Sequence, residues 1–369
     1  MPVSIGPYAA ENEESVKAFN LRLKNKGVHF QFPENHIPNW LPKRDHDQLY
    51  SEFFLATDNG EVRGAYILKH QEFLINETSR SIGNFGLPLS EGIVDKQYNS
   101  IGLRLLNDAL TRQPQLYALG MGGLNKPLPQ LLTGLGWKLK LVPFFFHVAN
   151  PKDFLKQISI MRQTSLKRLI GDFMAYSGLG WATIKLWQAL ITRKTIAPTQ
   201  TEEFEGFGDW SDEIWQNSRG RYSLGAVRTG QFLNTLYPEK NERFIKLKIQ
   251  ANDRPVGWVV LLDTKMSGHK YFGNLRVGTI VDCIAQIDFE ISVIAAAKKF
   301  LVNRGVDLIV SNQSHLFWLN ACEQTGFLKG PSNFALAMSP QLWQAVDISD
   351  KNWERVHFTR GDGDGPINL

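Results

Sequence analysis

Alternating hydrophobic and polar positions near the start of the chain predict β-strands. Residues 52–57 and 62–70 are both typical of strands, since they are rich in aromatic and β-branched side chains. Asn59 and Gly60 between them strongly favour a hairpin turn, because both residues tolerate a left-handed backbone. A helix that begins near Asn12 is predicted to precede this hairpin. The chain is therefore expected to begin as a mixed α/β structure.

The periodicity then changes repeatedly between that of strands and that of helices. Residues 82–89 predict a strand, and hydrophobic residues recur at helical spacing over residues 101–110. A short apolar segment at residues 116–120 predicts a buried strand, and Gly136 is expected to end a short helix after it. Residues 139–148 predict one or two further strands. This order of elements completes the first half.

The second half repeats the same order at a nearly constant offset. The matching positions are Gly64 and Gly257, Leu116 and Leu308, and Gly136 and Gly326, at offsets of 193, 192 and 190 residues. Hydrophobic residues at positions 293–301 also repeat the helical pattern of residues 101–110. A constant offset over several elements indicates an internal duplication. We therefore predict two copies of one α/β unit.

The predicted division of the chain follows from this duplication. Residues 1–150 form the first unit, residues 151–199 a helical linker, residues 200–345 the second unit and residues 346–369 a C-terminal tail. The linker carries a broad apolar face with basic residues at both ends of residues 165–195. Two interpretations stay open, namely a helix buried between the units and a helix that lies in a membrane interface.

Composition narrows the class of protein. Hydrophobic residues make up 43% and charged residues 21% of the 369 residues, which is typical of a globular chain and excludes a disordered one. The net charge of +5 is a small surplus that does not favour DNA binding. Cys283 and Cys322 form no disulfide framework, so we expect two core thiols and a reducing compartment. No secretory signal is evident at the N-terminus, and we expect a cytoplasmic protein.

Metal chemistry has little support in the sequence. The eight histidines show no spacing typical of a metal site, so no metal is predicted. Residues 362–365 (Asp-Gly-Asp-Gly) resemble half of a calcium loop, but the chain ends before the glutamate that such a loop requires. We therefore interpret them as part of a flexible tail.

The junction between the third predicted strand and its helix carries the clearest chemistry. Residues 95–106 read DKQYNSIGLRLL. Free backbone amides at a helix N-terminus bind a diphosphate, and small residues allow close approach. This segment resembles the acyl-CoA pyrophosphate loop of the GNAT superfamily of N-acyltransferases, with Gln97, Ser100 and Gly102 at the motif positions. The resemblance implies acetyl-CoA or another acyl-CoA as co-substrate, and its expected contacts are Gln97, Tyr98, Asn99, Ser100, Ile101, Gly102 and Asn125. Asn125 is equally suited to cap the short helix that follows it.

The order of elements is also similar to that of GNAT proteins over residues 1–149 and, more faintly, 200–340. The resemblance implies two tandem GNAT-like units of fold class α/β, each a mixed, mostly antiparallel sheet flanked by helices and joined by a helical segment. A splayed central strand pair is expected in both. It also implies attack of an amine on the thioester, with a base and an acid within hydrogen-bond reach. The candidates for these catalytic roles are Glu91, Tyr98 and His315. The short helix of the first unit lacks the tyrosine that often serves as acid in this family.

The second copy lacks a loop suited to a diphosphate. Residues 286–290 contain no glycine and two acidic side chains, which repel phosphate. We therefore expect Asp282, Ser314 and His315 to line an acceptor site there, His315 as a base or an acceptor contact. The alternative is that Ser314 caps a helix and His315 lies on the surface.

The predicted function is an acyl-CoA-dependent N-acyltransferase, an acetyltransferase in its simplest form. The acceptor is expected to be a small amine such as an amino sugar in polysaccharide or cell-envelope biosynthesis, because residues 227–234 resemble the polysaccharide-associated tandem GNAT group. Two alternatives stay open within the same fold. One is a Fem-type transferase that uses aminoacyl-tRNA, and the other is a non-catalytic scaffold at the inner membrane face, peripherally bound through residues 165–195. An unrelated α/β fold is the third.

Overall fold

A computed structural model describes residues 3–44, 47–157, 186, 198–347 and 353–363. In the first half the elements are β1 (Ser4–Pro7), α1 (Glu13–Asn25), β2 (Tyr50–Asp58), β3 (Glu61–Ile75), β4 (Thr78–Ser90), α2 (Ile101–Arg112), β5 (Leu116–Leu119), α3 (Pro127–Gly134), β6 (Lys138–Leu141), β7 (Phe144–Val148) and α4 (Pro151–Gln157). In the second half they are β8 (Gln200–Glu203), α5 (Asp209–Ser218), β9 (Leu224–Ala226), α6 (Gly230–Leu236), β10 (Ile245–Ala251), β11 (Arg254–Lys265), β12 (Arg276–Ala285), α7 (Glu290–Asn303), β13 (Leu308–Asn312), α8 (Leu316–Gln324), β14 (Leu328–Gly330), β15 (Ala335–Met338), α9 (Pro340–Val346) and β16 (Val356–His357).

The predicted hairpin is confirmed as the pair β2 and β3. Asn59 and Gly60 at its turn have φ angles of 51° and 81°, the left-handed values that a tight hairpin requires. The helix that follows β4 is confirmed as α2, which buries Ile101, Leu105 and Leu106 on one face. These elements agree with the prediction because turn chemistry and helical periodicity act over a few neighbouring residues.

Two mixed sheets form the molecule. The first has the strand order β1-β2-β3-β4-β5-β15-β6, and β9 joins it at the far end of β3. The second has the order β14-β7-β13-β12-β11-β10-β8. In the described residues the parallel pairs are β4 with β5, β12 with β13 and β9 with β16, and the other pairs are antiparallel. The predicted fold class is confirmed, namely two mixed, mostly antiparallel sheets flanked by helices.

The two sheets exchange one strand each. β15, which belongs to the second half of the chain, lies between β5 and β6 of the first sheet. β7, from the first half, lies between β13 and β14 of the second sheet. The predicted boundary at residue 150 therefore does not separate the sheets. Both strands are short and mainly apolar, and such a run carries no information on which sheet will bury it.

The duplication predicted from sequence is visible in how the helices cross the sheets. A Cβ atom added at Gly64 would lie 2.5 Å from Cγ2 of Ile101 in α2. A Cβ added at Gly257 would lie 2.3 Å from Cγ2 of Val293 in α7. Only glycine permits such close approach of a helix to a strand. Both units therefore pack their helix at the matching position of the matching strand, α2 against β3 and α7 against β11. Gly136 and Gly326 also match in backbone conformation.

The second sheet and α7 enclose an apolar core that contains both cysteines. Cys283 and Cys322 are fully buried among aliphatic side chains such as Val293 and Leu301. Burial raises the pKa of the Cys283 thiol well above its usual range. The prediction that both cysteines are core thiols is therefore confirmed.

The predicted flexible tail is wrong for residues 353–363, which we call the strap. Val356 pairs with β9, and Phe358, Thr359 and Asp362 are fully buried. The physical reason is that the strap alternates apolar side chains with polar ones that meet partners deep between the two sheets. Residues 364–369 lie outside the described part of the chain.

The predicted linker can be followed only at its start. α4 occupies its first residues, whereas the segment proposed for membrane contact, residues 165–195, lies outside the described residues apart from Leu186. Among the helices that the structure describes, none has both the length and the apolar character needed to span a membrane.

Candidate functional site

The central strands of both sheets separate partway along their length. β4 and β5 pair only at Gly83 with Leu116 and at Asn84 with Tyr117. Beyond these pairs β4 continues along β3, while β5 continues along β15, so the two strands leave an opening between them. The second sheet opens in the same way, because the pairing of β12 with β13 ends at Ile280. Both expected splayed pairs are therefore present.

A β-bulge lies beside each opening. The register of β3 against β4 shifts between Ala65 and Ile67, and Leu87 of β4 has a φ of 43°. In the second sheet the register shifts between Val260 and Leu261. A bulge leaves a residue of the ladder unpaired and reorients the strand, and such bulges often lie next to functional sites.

The start of α2 provides unpaired amides at the side of the first opening. The amides of Tyr98 and Asn99 donate to carbonyl groups within the preceding 3₁₀ turn, and the amide of Gln97 donates to the Asp95 carboxylate at 3.0 Å. In the described part of the chain, the amides of Ser100 and the residues after it, through Leu103, donate to no protein acceptor. The helix dipole adds positive potential at the same place.

Space beside these amides is open. A Cβ added at Gly102 would meet no atom within 4 Å, and the Ser100 side chain does not cap the helix. Ile101 contributes only its backbone, because its side chain is buried beneath the sheet. Of the predicted diphosphate contacts, the structure therefore leaves the amides of Ser100, Ile101 and Gly102 available. The amides of Gln97, Tyr98 and Asn99 hold the loop in shape.

Glu91 lies at the end of β4 in a double ion pair. Its carboxylate accepts from Arg22 Nε at 2.7 Å and from Arg63 Nη1 at 3.0 Å, and the side chain is buried. The same Arg63 guanidinium lies 4.6 Å above the Tyr98 ring. The structure thus brings Glu91 and Tyr98 together through Arg63. Because both carboxylate oxygens are engaged, Glu91 in this arrangement fastens the loop to α1 and β3 and is not poised as a base.

Asn125 lies in the loop that precedes α3. Its side chain is exposed, and the residue that caps α3 is Lys126, with Pro127 in the first turn. The prediction that Asn125 caps this helix is wrong by one position. Proline favours the first helical position, which places the cap on the residue directly before it.

The second opening is filled by the strap. Ser314 donates its amide to the Phe358 carbonyl at 3.2 Å and its hydroxyl to the Val356 carbonyl at 2.6 Å. The Thr359 hydroxyl donates to Asp282 at 3.2 Å. Two of the residues predicted to bind an acceptor therefore bind the chain's own strap.

A buried ion network anchors the strap to the second unit. Arg228 donates from Nε to Asp282 and from Nη2 to Asp362, each at 2.7 Å, and all three side chains are fully buried. The Tyr237 hydroxyl donates to Asp282 at 2.8 Å, and burial beside that carboxylate raises the pKa of Tyr237 well above its usual range. Arg228 and Tyr237 were not predicted as site residues. The one available signal was a charged residue within an otherwise apolar segment.

The first sheet holds the other side of the strap. Lys69 Nζ donates to the carbonyl oxygens of Asp362 and Gly363, at 2.8 and 3.0 Å. The Tyr117 hydroxyl donates to the Asp362 carbonyl at 2.7 Å. Lys69 and Tyr117 flank Asn84, which belongs to the last pair before β4 and β5 separate. The strap therefore crosses the first sheet where its opening begins.

His315 is buried at the start of α8 and not on the surface. Its Nδ1 atom accepts from the Phe317 amide at 3.3 Å, and Tyr222 and His357 pack against its ring. Burial, together with the charge of Arg221, lowers the pKa of His315 to about 4. This histidine is therefore neutral at physiological pH, and it serves as a helix cap.

We expect the stability of the protein to fall as the pH decreases from 6.5 to 4, partly because of His315. In that range the unfolded histidine, with its ordinary pKa of 6.5, binds a proton that the folded form excludes. The shift corresponds to about 3 kcal/mol of the free energy of unfolding. His315→Asn keeps a capping side chain but does not titrate. Urea unfolding at pH 7.5 and 4.5 should show a smaller loss for the variant, and equal losses would contradict this account.

No protein-family model and no curated protein sequence matches this chain. Solved structures do match. A probable N-acyltransferase from Enterococcus faecalis V583 is 8% identical, with a TM-score of 0.52, and the match covers 93% of this chain and 74% of that one. Saccharomyces cerevisiae N-myristoyltransferase with bound myristoyl-CoA is 10% identical, with a TM-score of 0.51 and coverage of 91% and 78%.

A third similar structure is a GCN5-related N-acetyltransferase from Anabaena variabilis ATCC 29413. It is 10% identical, with a TM-score of 0.51 and coverage of 91% of this chain and 72% of that one. The fold of this chain is therefore GNAT-like. At these identities the likeness establishes the fold, while function has to be argued from the site itself.

Proposed function

We propose that this chain is an N-acyltransferase that takes its acyl group from an acyl-CoA bound at the first unit. The observation that carries the proposal is the opening between β4 and β5, which lies beside the unpaired amides of Ser100, Ile101 and Gly102. The second opening offers no comparable space, because Asp282 and Ser314 hold the strap in it. N-myristoyltransferase and the N-acetyltransferase of the same fold give this proposal its reaction class.

Different parts of the first unit bind different parts of the donor. The start of α2 receives the diphosphate, because its amides and the helix dipole favour an anion. The rest of the donor passes along the opening, where the bulge around Leu87 leaves strand backbone free to contact it. The ion pairs of Glu91 with Arg22 and Arg63 keep the loop in place.

The reaction is attack of a neutral amine on the thioester carbon. The new C–N bond replaces the C–S bond, the amine loses a proton, and the CoA thiolate leaves and takes up a proton. Tyr98 is the candidate acid, because it lies in the loop beside the opening. Water is the proposed base, because Glu91 is engaged with two arginines. A small amine such as an amino sugar remains the proposed acceptor, and the acyl lengths to be tested run from acetyl to myristoyl.

The proposal is tested by calorimetric titration of CoA, acetyl-CoA, octanoyl-CoA and myristoyl-CoA into the full-length protein. We expect micromolar affinity for at least one acyl-CoA and a dependence of affinity on chain length that identifies the preferred donor. Absence of binding by all four ligands to folded protein would contradict the proposal. In that case aminoacyl-tRNA binding would be measured next, for the Fem-type alternative, and then vesicle binding, for a scaffold.

A further inference from the structure

Arg360 of the strap carries a charge that no carboxylate balances. Its Nε atom donates to Oδ1 of Asn312 at 3.0 Å, and its guanidinium carbon lies 5.9 Å from the centre of the Phe334 ring. Within the described part of the chain, no carboxylate forms an ion pair with it. By contrast, Arg228 is paired with two carboxylates. Arg360 is half-buried, and arginine is rarely withdrawn from water among protein groups without such a partner.

Neighbouring contacts place this guanidinium beside the first opening. A Cβ added at Gly363 would lie 3.9 Å from Leu119, the last residue of β5. A Cβ added at Gly120, the next residue, would lie 3.1 Å from the Phe334 ring. Because Arg360 contacts that ring, it lies beyond the carboxyl end of β5, where the opening widens. The loop that follows β5 has glycine at three of its first four positions.

The strap and the donor loop lie on opposite faces of the first sheet. Tyr66 and Leu68 of β3 pack in the same cluster as α2. Phe73 of β3 and Tyr117 of β5 pack in a different cluster, together with Phe358 of the strap. The opening between β4 and β5 therefore connects a face where the donor diphosphate binds with a face where Arg360 lies. A second substrate that meets the thioester from the strap side would pass this arginine.

Chemistry restricts what Arg360 can recognise. Burial lowers the pKa of Arg360 to about 10, so its side chain is still a cation at neutral pH. With Nε bound to Asn312, the two Nη atoms remain for a ligand. A guanidinium matches the geometry of a carboxylate or a phosphate, and partial removal from water strengthens that attraction.

We propose that Arg360 binds a carboxylate or phosphate group of the acceptor, so that the acceptor is an amine that also carries a negative charge. This inference rests on the proposed function, since it assigns the second substrate of the same reaction. It adds a specificity determinant on the strap, a segment that the sequence pattern placed in a flexible tail.

The first test measures anion binding at Arg360 without the need for an acceptor. Phenylglyoxal modification of the full-length protein is followed at Arg360 by peptide mass spectrometry, at constant ionic strength. We expect phosphate or acetate to slow the modification at least 3-fold, whereas neutral acetamide has no effect. An Arg360 that is not modified, or that is modified at the same rate with every additive, would overturn the proposal.

The second test measures specificity with matched amines that differ only in charge. The pairs are glucosamine 6-phosphate with glucosamine, and glycylglycine with glycylglycinamide. For an active pair we expect kcat/KM to favour the anionic member at least 10-fold. Arg360→Gln should abolish that preference, whereas Arg304→Gln, which alters a surface arginine paired with Asp263, should keep it. If no pair reacts, the protection experiment decides the proposal.

Calorimetric titration of acyl-CoA distinguishes failure of this inference from failure of the proposed function. Donor binding with no protection of Arg360 would reject this inference and keep the proposed function. Protection without any donor binding would reject the proposed function and with it the acceptor assignment. If Arg360→Gln weakens acyl-CoA binding 10-fold or more, the recognised anion belongs to the donor, and the assignment to the acceptor is wrong.

Discussion

We expect Gly102→Glu to weaken acyl-CoA binding by about 100-fold, which is the largest functional effect that a single substitution in the donor loop should produce. The new carboxylate lies in the open space beside the unpaired amides of Ser100 and Ile101, where the diphosphate would bind. Repulsion between it and two phosphate charges costs about 1 kcal/mol for each charge near water. Loss of amide contacts adds to this, and 2.7 kcal/mol corresponds to 100-fold.

Gly134→Glu is the matched control for this variant. Gly134 also lies in a helix, and a Cβ added there would meet no atom within 4 Å. It lies at the end of α3 and not in the donor loop. We therefore expect the affinity of the Gly134→Glu variant for acyl-CoA to match that of the unaltered protein. Calorimetric titration measures both variants. Equal affinities for the Gly102 and Gly134 variants would show that the diphosphate does not bind at the start of α2.

Arg228→Met is expected to lower the free energy of unfolding by about 3–5 kcal/mol. The substitution leaves Asp282 and Asp362 facing each other without a cation, and all three side chains are fully buried. Removal of one partner from a buried ion pair is costly because the remaining charge stays out of water. Urea unfolding followed by circular dichroism measures the change.

Two further variants separate charge from packing in this network. If the cost comes from unpaired carboxylates, Arg228→Met combined with Asp282→Asn and Asp362→Asn should recover most of the lost stability. Arg304→Met removes a half-exposed arginine from its ion pair with Asp263 and should cost less than about 1 kcal/mol. A similar loss for Arg304→Met and Arg228→Met would contradict the account. If the single Arg228 variant does not fold, the comparison of the triple variant with the unaltered protein still tests it.

The sequence predicts the loop that we propose binds the donor, but it does not reveal the contacts of every residue there. Ser100 and Gly102, two small residues at the start of a helix, indicate an anion site, and the structure leaves their amides without a protein acceptor. Glu91 was predicted as a base because a carboxylate follows a strand near the loop. Its ion pairs come from Arg22 and Arg63, which lie on elements distant in sequence. No local pattern reveals such partners.

The strap is a stronger example of contacts that local sequence does not reveal. Residues 362–365, which overlap its end, have the composition of a flexible tail, and composition was the only information available. In the structure, Lys69 and Tyr117 from the first sheet and Arg228 from the second unit bind Asp362. These contacts span more than 130 residues of sequence, so only the assembled sheets define them.

The sequence by itself determined the elements and their duplication. The hairpin at Asn59 and Gly60, the amphipathic helix α2 and the repeat of Gly64 at Gly257 depend on interactions between near neighbours or on similarity within the chain. Only the tertiary structure decided the exchange of β7 and β15, the filling of the second opening and the position of Arg360. Burial between two sheets is a property of the whole fold, and local sequence does not specify which distant partner a buried strand or charge will meet.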